Sequence, residues 1–99
     1  MSYSVKITRR AEKSYAQNLE YLEREWGAKV TIQFIDRVDA VIDAIKKNPH
    51  LYPLYFTSKK IRRCIIHERI IMYYRISGKD RISILLFWNT YQNPAKLQL

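Results

Sequence analysis

The sequence predicts an α+β sandwich of order β-α-α-β-β-β, with a helical hairpin packed on one face of a small, mainly antiparallel sheet. Three observations carry this expectation. Two apolar stripes recur at helical spacing through residues 11–45, three short apolar runs follow between residues 60 and 88, and the breaks within each group are only a few residues long.

Tyr3-Ser4-Val5-Lys6-Ile7 alternates apolar and polar residues, the period of a half-buried strand. Thr8 then suits a helix N-cap, because its hydroxyl can accept one of the N–H groups that the first turn leaves unpaired. Ala11, Tyr15, Leu19, Leu22 and Trp26 form one apolar stripe, and Gly27 stands where helices commonly end in a left-handed residue. The second stripe runs from Val30 through Phe34, Val38 and Val41 to Ile45, widened by Ile35 and Ile42. Lys46 and Lys47 favour its negative end, and Asn48-Pro49 stops it. The gap between the helices is so short that they form an antiparallel hairpin. A loop from His50 to Lys59 leads to strands near Lys60–Ile66, Ile70–Ile76 and Arg81–Trp88. His67-Glu68-Arg69 and Ser77-Gly78-Lys79-Asp80 supply the connections between them. With no repeat or internal linker, residues 1–99 read as one domain.

Charge divides the chain unevenly. Residues 1–47 hold nine Lys/Arg against seven Asp/Glu, a balance of +2, whereas residues 48–99 hold nine against two, a balance of +7. The regional excess points to an anionic partner, either nucleic acid or an acidic protein. Cys64 is the sole cysteine, so no intramolecular disulfide is possible, and its apolar run suggests an inert buried thiol. No carboxylates, histidines or cysteines fall at metal-ligand spacing, so neither a metal nor another cofactor is expected, and no small-molecule ligand. Met1 to Lys6 lacks the apolar stretch of a signal peptide and no window approaches a membrane span, so a cytoplasmic chain without a membrane partner is expected.

The basic sheet holds the candidate contact residues: Lys59, Lys60, Arg62, Arg63, Tyr73, Arg75 and Tyr91, of which Arg75 reads on its own equally as an ordinary exposed strand residue. Arg62 and Arg63 are adjacent in a strand and must point to opposite faces. Either can grip phosphate or carboxylate bidentately, or stand as a solvated strand cation. Lys59 and Lys60 suit electrostatic steering. At most one of Tyr73 and Tyr74 belongs to the open face, and Trp88, alternating with Leu86, is expected in the core under the helices. His67 is expected as an uninvolved turn residue, and Asp36, Asp39 and Asp43 as the solvent side of the second helix.

Four segments and the C-terminal end carry a resemblance. They are Thr8-Arg9-Arg10-Ala11; Tyr21-Leu22 with Trp26-Gly27; Ile45 to Pro53; and Ile61-Arg62-Arg63-Cys64 followed by Tyr73-Tyr74-Arg75-Ile76. The end is Phe87-Trp88-Asn89-Thr90-Tyr91-Gln92-Asn93-Pro94. In this order, in a basic chain of this length, they resemble the RelE/ParE superfamily of toxins from bacterial type II toxin–antitoxin modules. The resemblance implies one of two mechanisms. RelE-like toxins cleave messenger RNA on the ribosome with clustered Lys, Arg and Tyr, or Glu and His. ParE-like toxins bind and poison DNA gyrase without a hydrolytic site.

RelE-like sequences typically show Gly-x-Arg-[apolar]-[apolar]-Tyr in the middle strand. Here the stretch reads Arg69-Ile70-Ile71-Met72-Tyr73-Tyr74, which puts Ile71 at the arginine. Tyr91 likewise stands where many relatives carry arginine. The resemblance therefore implies a ParE-like toxin directed at gyrase and silenced by a cognate acidic antitoxin. The alternative is a ribosome-dependent endoribonuclease acting on messenger RNA through Lys60, Arg62, Arg63 and Tyr91. A third reading is a nontoxic nucleic-acid-binding module, or a degenerate toxin, sharing only the fold.

Overall fold

The computed structural model describes residues 2–56 and 59–99, with Phe56 described by its backbone alone. Strand β1 (Ser4–Ile7) feeds helix α1 (Arg9–Trp26), and helix α2 (Ala28–Lys47) returns antiparallel to it. Strands β2 (Leu54–Phe56), β3 (Ile61–His67), β4 (Ile70–Ile76) and β5 (Arg81–Asn89) follow, then a single 3₁₀ turn at Pro94–Lys96. The sheet order is β1-β5-β4-β3-β2; the β1–β5 pair is parallel and the other three are antiparallel. This is the expected α+β sandwich with one addition. The loop expected from His50 to Lys59 contains the three-residue strand β2 on the edge of β3; Thr57 and Ser58 lie outside the described residues. Three residues broken by a register shift leave too short an alternation for a periodicity argument to detect.

The helix boundaries follow from their caps. The Thr8 hydroxyl accepts the N–H of Ala11 at 3.1 Å. Gly27 separates the helices with φ 90° and ψ 171°, a region essentially restricted to glycine and different from the left-handed helical conformation expected there. Its N–H reaches back to the Leu22 carbonyl at 2.9 Å, while its own carbonyl accepts the N–H and the hydroxyl of Thr31.

The helices cover one face of the sheet, and the C-terminal tail covers only part of the other. Against the helices lie Cys64, Ile66, Ile70, Met72, Tyr74, Ile82, Ile84 and Phe87, meeting Ala11, Leu22, Phe34, Val38, Val41 and Ile45. Each fully buried Leu or Ile there contributes roughly 1.5–3 kcal/mol. On the opposite face Ile61, Tyr73, Leu86 and Trp88 form a smaller cluster under Leu97 and Leu99 of the C-terminal tail.

Trp88 is therefore core, as expected, but on the face away from the helices. Tyr73 pairs with Leu86 and Tyr74 with Ile84, so β5 carries one extra residue at that point. A one-residue bulge reverses the facing of everything after it. Ile82 and Ile84 look toward the helices, and beyond the bulge Phe87 takes that side while Leu86 and Trp88 turn away.

The apolar stripe read on α1 also shifts. Its buried line is Ala11, Ser14, Asn18 and Leu22, while Trp26 is 37 % exposed. The reason lies in β1, which ends at Ile7 opposite Ile84 and leaves the outer edge of β5 beyond that point without a strand partner. Helix α1 supplies the missing partners from its side chains. Ser14 Oγ accepts the Phe87 N–H at 3.0 Å, and Asn18 Nδ2 donates to the Phe87 carbonyl at 2.9 Å. Asn18 Oδ1 accepts from Asn89 Nδ2 at 3.2 Å. Two buried polar side chains thus stand in for a strand, because an unpaired buried backbone group costs about as much as a lost hydrogen bond.

Candidate functional site

Strand pairing decides where the sheet's cations point. Arg63 pairs with Tyr73, and Ile61 with Arg75, so Arg63 and Arg75 are diagonal neighbours on the face away from the helices, with Cβ atoms about 7 Å apart. Both are exposed. The Arg63 guanidinium stands over the Tyr55 ring, 5.0 Å from its centroid, and Tyr55 packs edge-on against Tyr73 at 5.1 Å. This cation–aromatic shelf brings Arg63 and Tyr73, two of the residues singled out in the sequence, together with Tyr55, and Arg75 lies beside them. Tyr73 itself is 1 % exposed and Tyr74 0 % exposed, so neither phenol lies on the surface, and Tyr73 supports the shelf from beneath. Burial, the neighbouring Tyr55 and its hydrogen bond raise the Tyr73 phenol above its ordinary value, with Arg63 opposing.

Arg62 faces the other way. Half-buried, it donates from Nη1 to the Tyr52 carbonyl at 2.7 Å and ties β3 to the segment after α2. Nearby, burial pushes both the Cys64 thiol and the Tyr52 phenol up, which keeps the thiol in its unreactive form. Tyr74 donates to the Pro49 carbonyl at 2.9 Å, and burial raises its phenol to about 12. Lys59 and Lys60 are exposed ahead of β3; Lys59 Nζ reaches the Leu99 carbonyl at 2.7 Å, and Lys60 adopts a positive φ of 55°.

Tyr91 sits at the far end of the sheet. The Lys60 end of β3 aligns with Arg75 and Ser83, whereas Tyr91 lies beyond Asn89, which aligns with Ile70 and His67. Six residues of β3 separate these levels, about 20 Å along the strands. Lys60, Arg62, Arg63 and Tyr91 therefore do not converge on one point. Tyr91 instead closes a run of aromatic contacts. Its ring meets Tyr21 at 6.0 Å, Tyr21 accepts from Trp26 Nε1, and Trp26 packs edge-on against His67 at 4.8 Å. The Arg69 guanidinium covers one face of Tyr91 at 4.4 Å. His67 is the last residue of β3 rather than a free turn residue. It is half-buried, its Nδ1 accepts the Arg69 N–H at 3.1 Å, and burial lowers its pKa, with Glu68 opposing and Arg69 adding. Asp36, Asp39 and Asp43 are exposed, as expected of the solvent side of α2.

A second cationic surface was not read from the sequence. Between α1 and the C-terminal end of β5 runs a cleft of about 520 Å³, with Arg10, Lys13 and Arg24 on the helix side and Lys96 on the tail. Among the described residues no aspartate or glutamate lines it. The available signal was the spacing of Arg10, Lys13, Gln17 and Arg24, a polar helical stripe beside the buried Ser14 and Asn18. Among the described residues no group of His, Cys, Asp and Glu could hold a metal ion, and no helix is long and apolar enough to cross a membrane.

A helical hairpin on one face of a five-stranded mixed sheet is the fold expected of the RelE/ParE superfamily of toxins. The family described as ParE toxin of type II toxin-antitoxin system, parDE, matches residues 5–94, and the chain belongs to that family. Solved structures agree on the fold. A chain of the chromosomal ParDE toxin–antitoxin system from P. aeruginosa superposes with a TM-score of 0.72 at 13 % identity, covering 89 % of this chain and 96 % of that one. A YoeB/ParE toxin from Agrobacterium tumefaciens gives 0.64 at 16 % identity, covering 87 % and 96 %. A chain of the heterotetrameric YoeB–YefM toxin–antitoxin complex from Staphylococcus aureus gives 0.58 at 12 %, covering 89 % and 97 %. Curated proteins include no match.

Proposed function

We propose that this ParE-family chain arrests growth by binding DNA gyrase and trapping its cleaved DNA, breaking no bond itself. The observation that carries the reading is the separation of the groups an RNase would need. Lys60 and Tyr91 stand about 20 Å apart along the strands, and Arg62 is turned under the sheet onto the Tyr52 carbonyl. Stabilising a phosphorane while protonating its leaving oxygen requires those groups within hydrogen-bond reach of one phosphate. Ile71, at the position of the RelE-like arginine, is an apolar residue packed on the Trp88 cluster, which supports the same conclusion.

An antitoxin completes the proposal. Arg63 and Arg75 on the Tyr55–Tyr73 shelf suit the carboxylates of an acidic, initially disordered segment, which orders on binding and covers the open face. Lys59 and Lys60 raise the rate of encounter.

The test is induction of the chain without antitoxin, following labelled thymidine and amino-acid incorporation over the first minutes. An early fall in DNA synthesis is expected. An early fall in protein synthesis, abolished by Tyr91→Phe, would instead establish the ribosome-dependent RNase and overturn the gyrase assignment.

A further inference from the structure

The cleft between α1 and β5 remains unused by that reading. Arg10, Lys13, Gln17, Tyr21 and Arg24 recur at intervals of three and four residues, so they form one stripe along α1. The fourteen helical rises from Arg10 to Arg24 make that stripe about 21 Å long. Lys96 and Gln92 face it from the tail. Its cations are only lightly compensated. Among the described residues Lys13 and Lys96 have no carboxylate partner, and Arg24 meets Glu25 at 3.7 Å in an exposed, easily screened pair. Arg10 donates to the Gln98 carbonyl, which ties the tail to the helix.

Two features distinguish the occupant. The cations are strung along a line instead of gathered around a point, so they match a linear polyanion better than a single phosphate. The apolar residues of the cleft, Leu86, Phe87 and Trp88, are 5 %, 3 % and 7 % exposed, so an amphipathic acidic helix finds no apolar strip to bury. What is offered is a ring: Tyr91, 65 % exposed at the cleft wall, with Arg69 behind one face. Cations along a groove with an exposed ring at its wall are the elements of a single-strand nucleic-acid site.

We propose that this cleft binds a single nucleic-acid strand, with Arg10, Lys13, Arg24 and Lys96 along its phosphates and Tyr91 stacked on a base. The site is separate from the Arg63–Arg75 shelf, so one toxin can engage a nucleic acid and a protein partner from different surfaces.

The experiment is fluorescence anisotropy of a labelled oligothymidylate of about 12 nucleotides, and of a duplex of the same length, from about 50 to 200 mM salt. Wild-type chain binds the single strand more tightly than the duplex. Three to four phosphate contacts at roughly 0.7 each give a log–log salt slope of about −2 to −3. The double variant Lys13→Glu/Lys96→Glu, both at exposed positions, weakens binding at least tenfold and flattens the slope. Tyr91→Ala weakens it at least fivefold, the lower end expected for loss of one stacked base. Arg63→Glu/Arg75→Glu, with the same change in net charge, weakens it less than threefold. Equal losses from the two double variants would show that binding follows net charge and would overturn the site. Absent binding, preference for the duplex, or equally effective competition by a polyglutamate peptide of matched charge would also overturn it.

Discussion

Asn18→Ala tests the clasp that attaches α1 to the edge of β5. The substitution removes the donor to the Phe87 carbonyl and the acceptor for Asn89 Nδ2, at 2.9 and 3.2 Å. Both of those groups are buried, and each orphaned group costs about 1–3 kcal/mol. The neighbouring cleft admits some water, which relieves part of this cost. The expected loss is therefore about 2–4 kcal/mol, a large share of a typical domain's stability. Urea unfolding followed by far-ultraviolet circular dichroism measures it. A double-mutant cycle with Asn89→Ala isolates the pair, because in that background Asn18→Ala orphans only the Phe87 carbonyl; a coupling of about 1 kcal/mol is expected. Native-state hydrogen exchange localises the effect, with amide protection lost first at the Phe87–Asn89 end of β5. A loss under about 0.5 kcal/mol, in the range of an ordinary surface substitution, would refute the claim that side chains of α1 replace a strand there.

Gly27→Ala meets no atom within 4 Å of the added Cβ, so its cost is purely that of forcing a side chain to φ 90° and ψ 171°. It should destabilise the chain by about 1–3 kcal/mol in urea, and Asn, which tolerates only the left-handed helical region, should not rescue it. Tyr74, raised to about 12, binds its proton more tightly folded than unfolded. Stability from this group is therefore complete below about pH 10 and falls by roughly 2–3 kcal/mol as pH rises to 12; Tyr74→Phe should flatten that part of a pH–stability profile. Arg63→Ala/Arg75→Ala should weaken antitoxin affinity by at least tenfold in titration calorimetry, and unchanged affinity would remove the shelf from that interface. In contrast, Arg62→Ala should lower stability by about 1–3 kcal/mol, since it leaves the Tyr52 carbonyl without its charged donor.

Local patterns in the sequence carried most of the architecture. Thr8 caps α1, Pro49 follows the end of α2, and the apolar runs around the His67-Glu68-Arg69 break mark two strands, because each of these depends on residues a few positions apart. The opposed directions of Arg62 and Arg63 were legible for the same reason. The facing of Leu86 and Trp88 was not, since it follows from a bulge created by pairing with Tyr73 and Tyr74, and only the partner strand determines where the extra residue falls. The burial of Ser14 and Asn18 depends likewise on β1 ending opposite Ile84, and the separation of Lys60 from Tyr91 on the order in which strands assemble. The basic cleft joins both levels. Its helical stripe stands in the sequence, but its meaning requires Lys96 and Tyr91 to be carried across from the far end of the chain. Local spacing determines which elements form and which side chains share a face, whereas register and sheet order, set by long-range pairing, decide which faces meet.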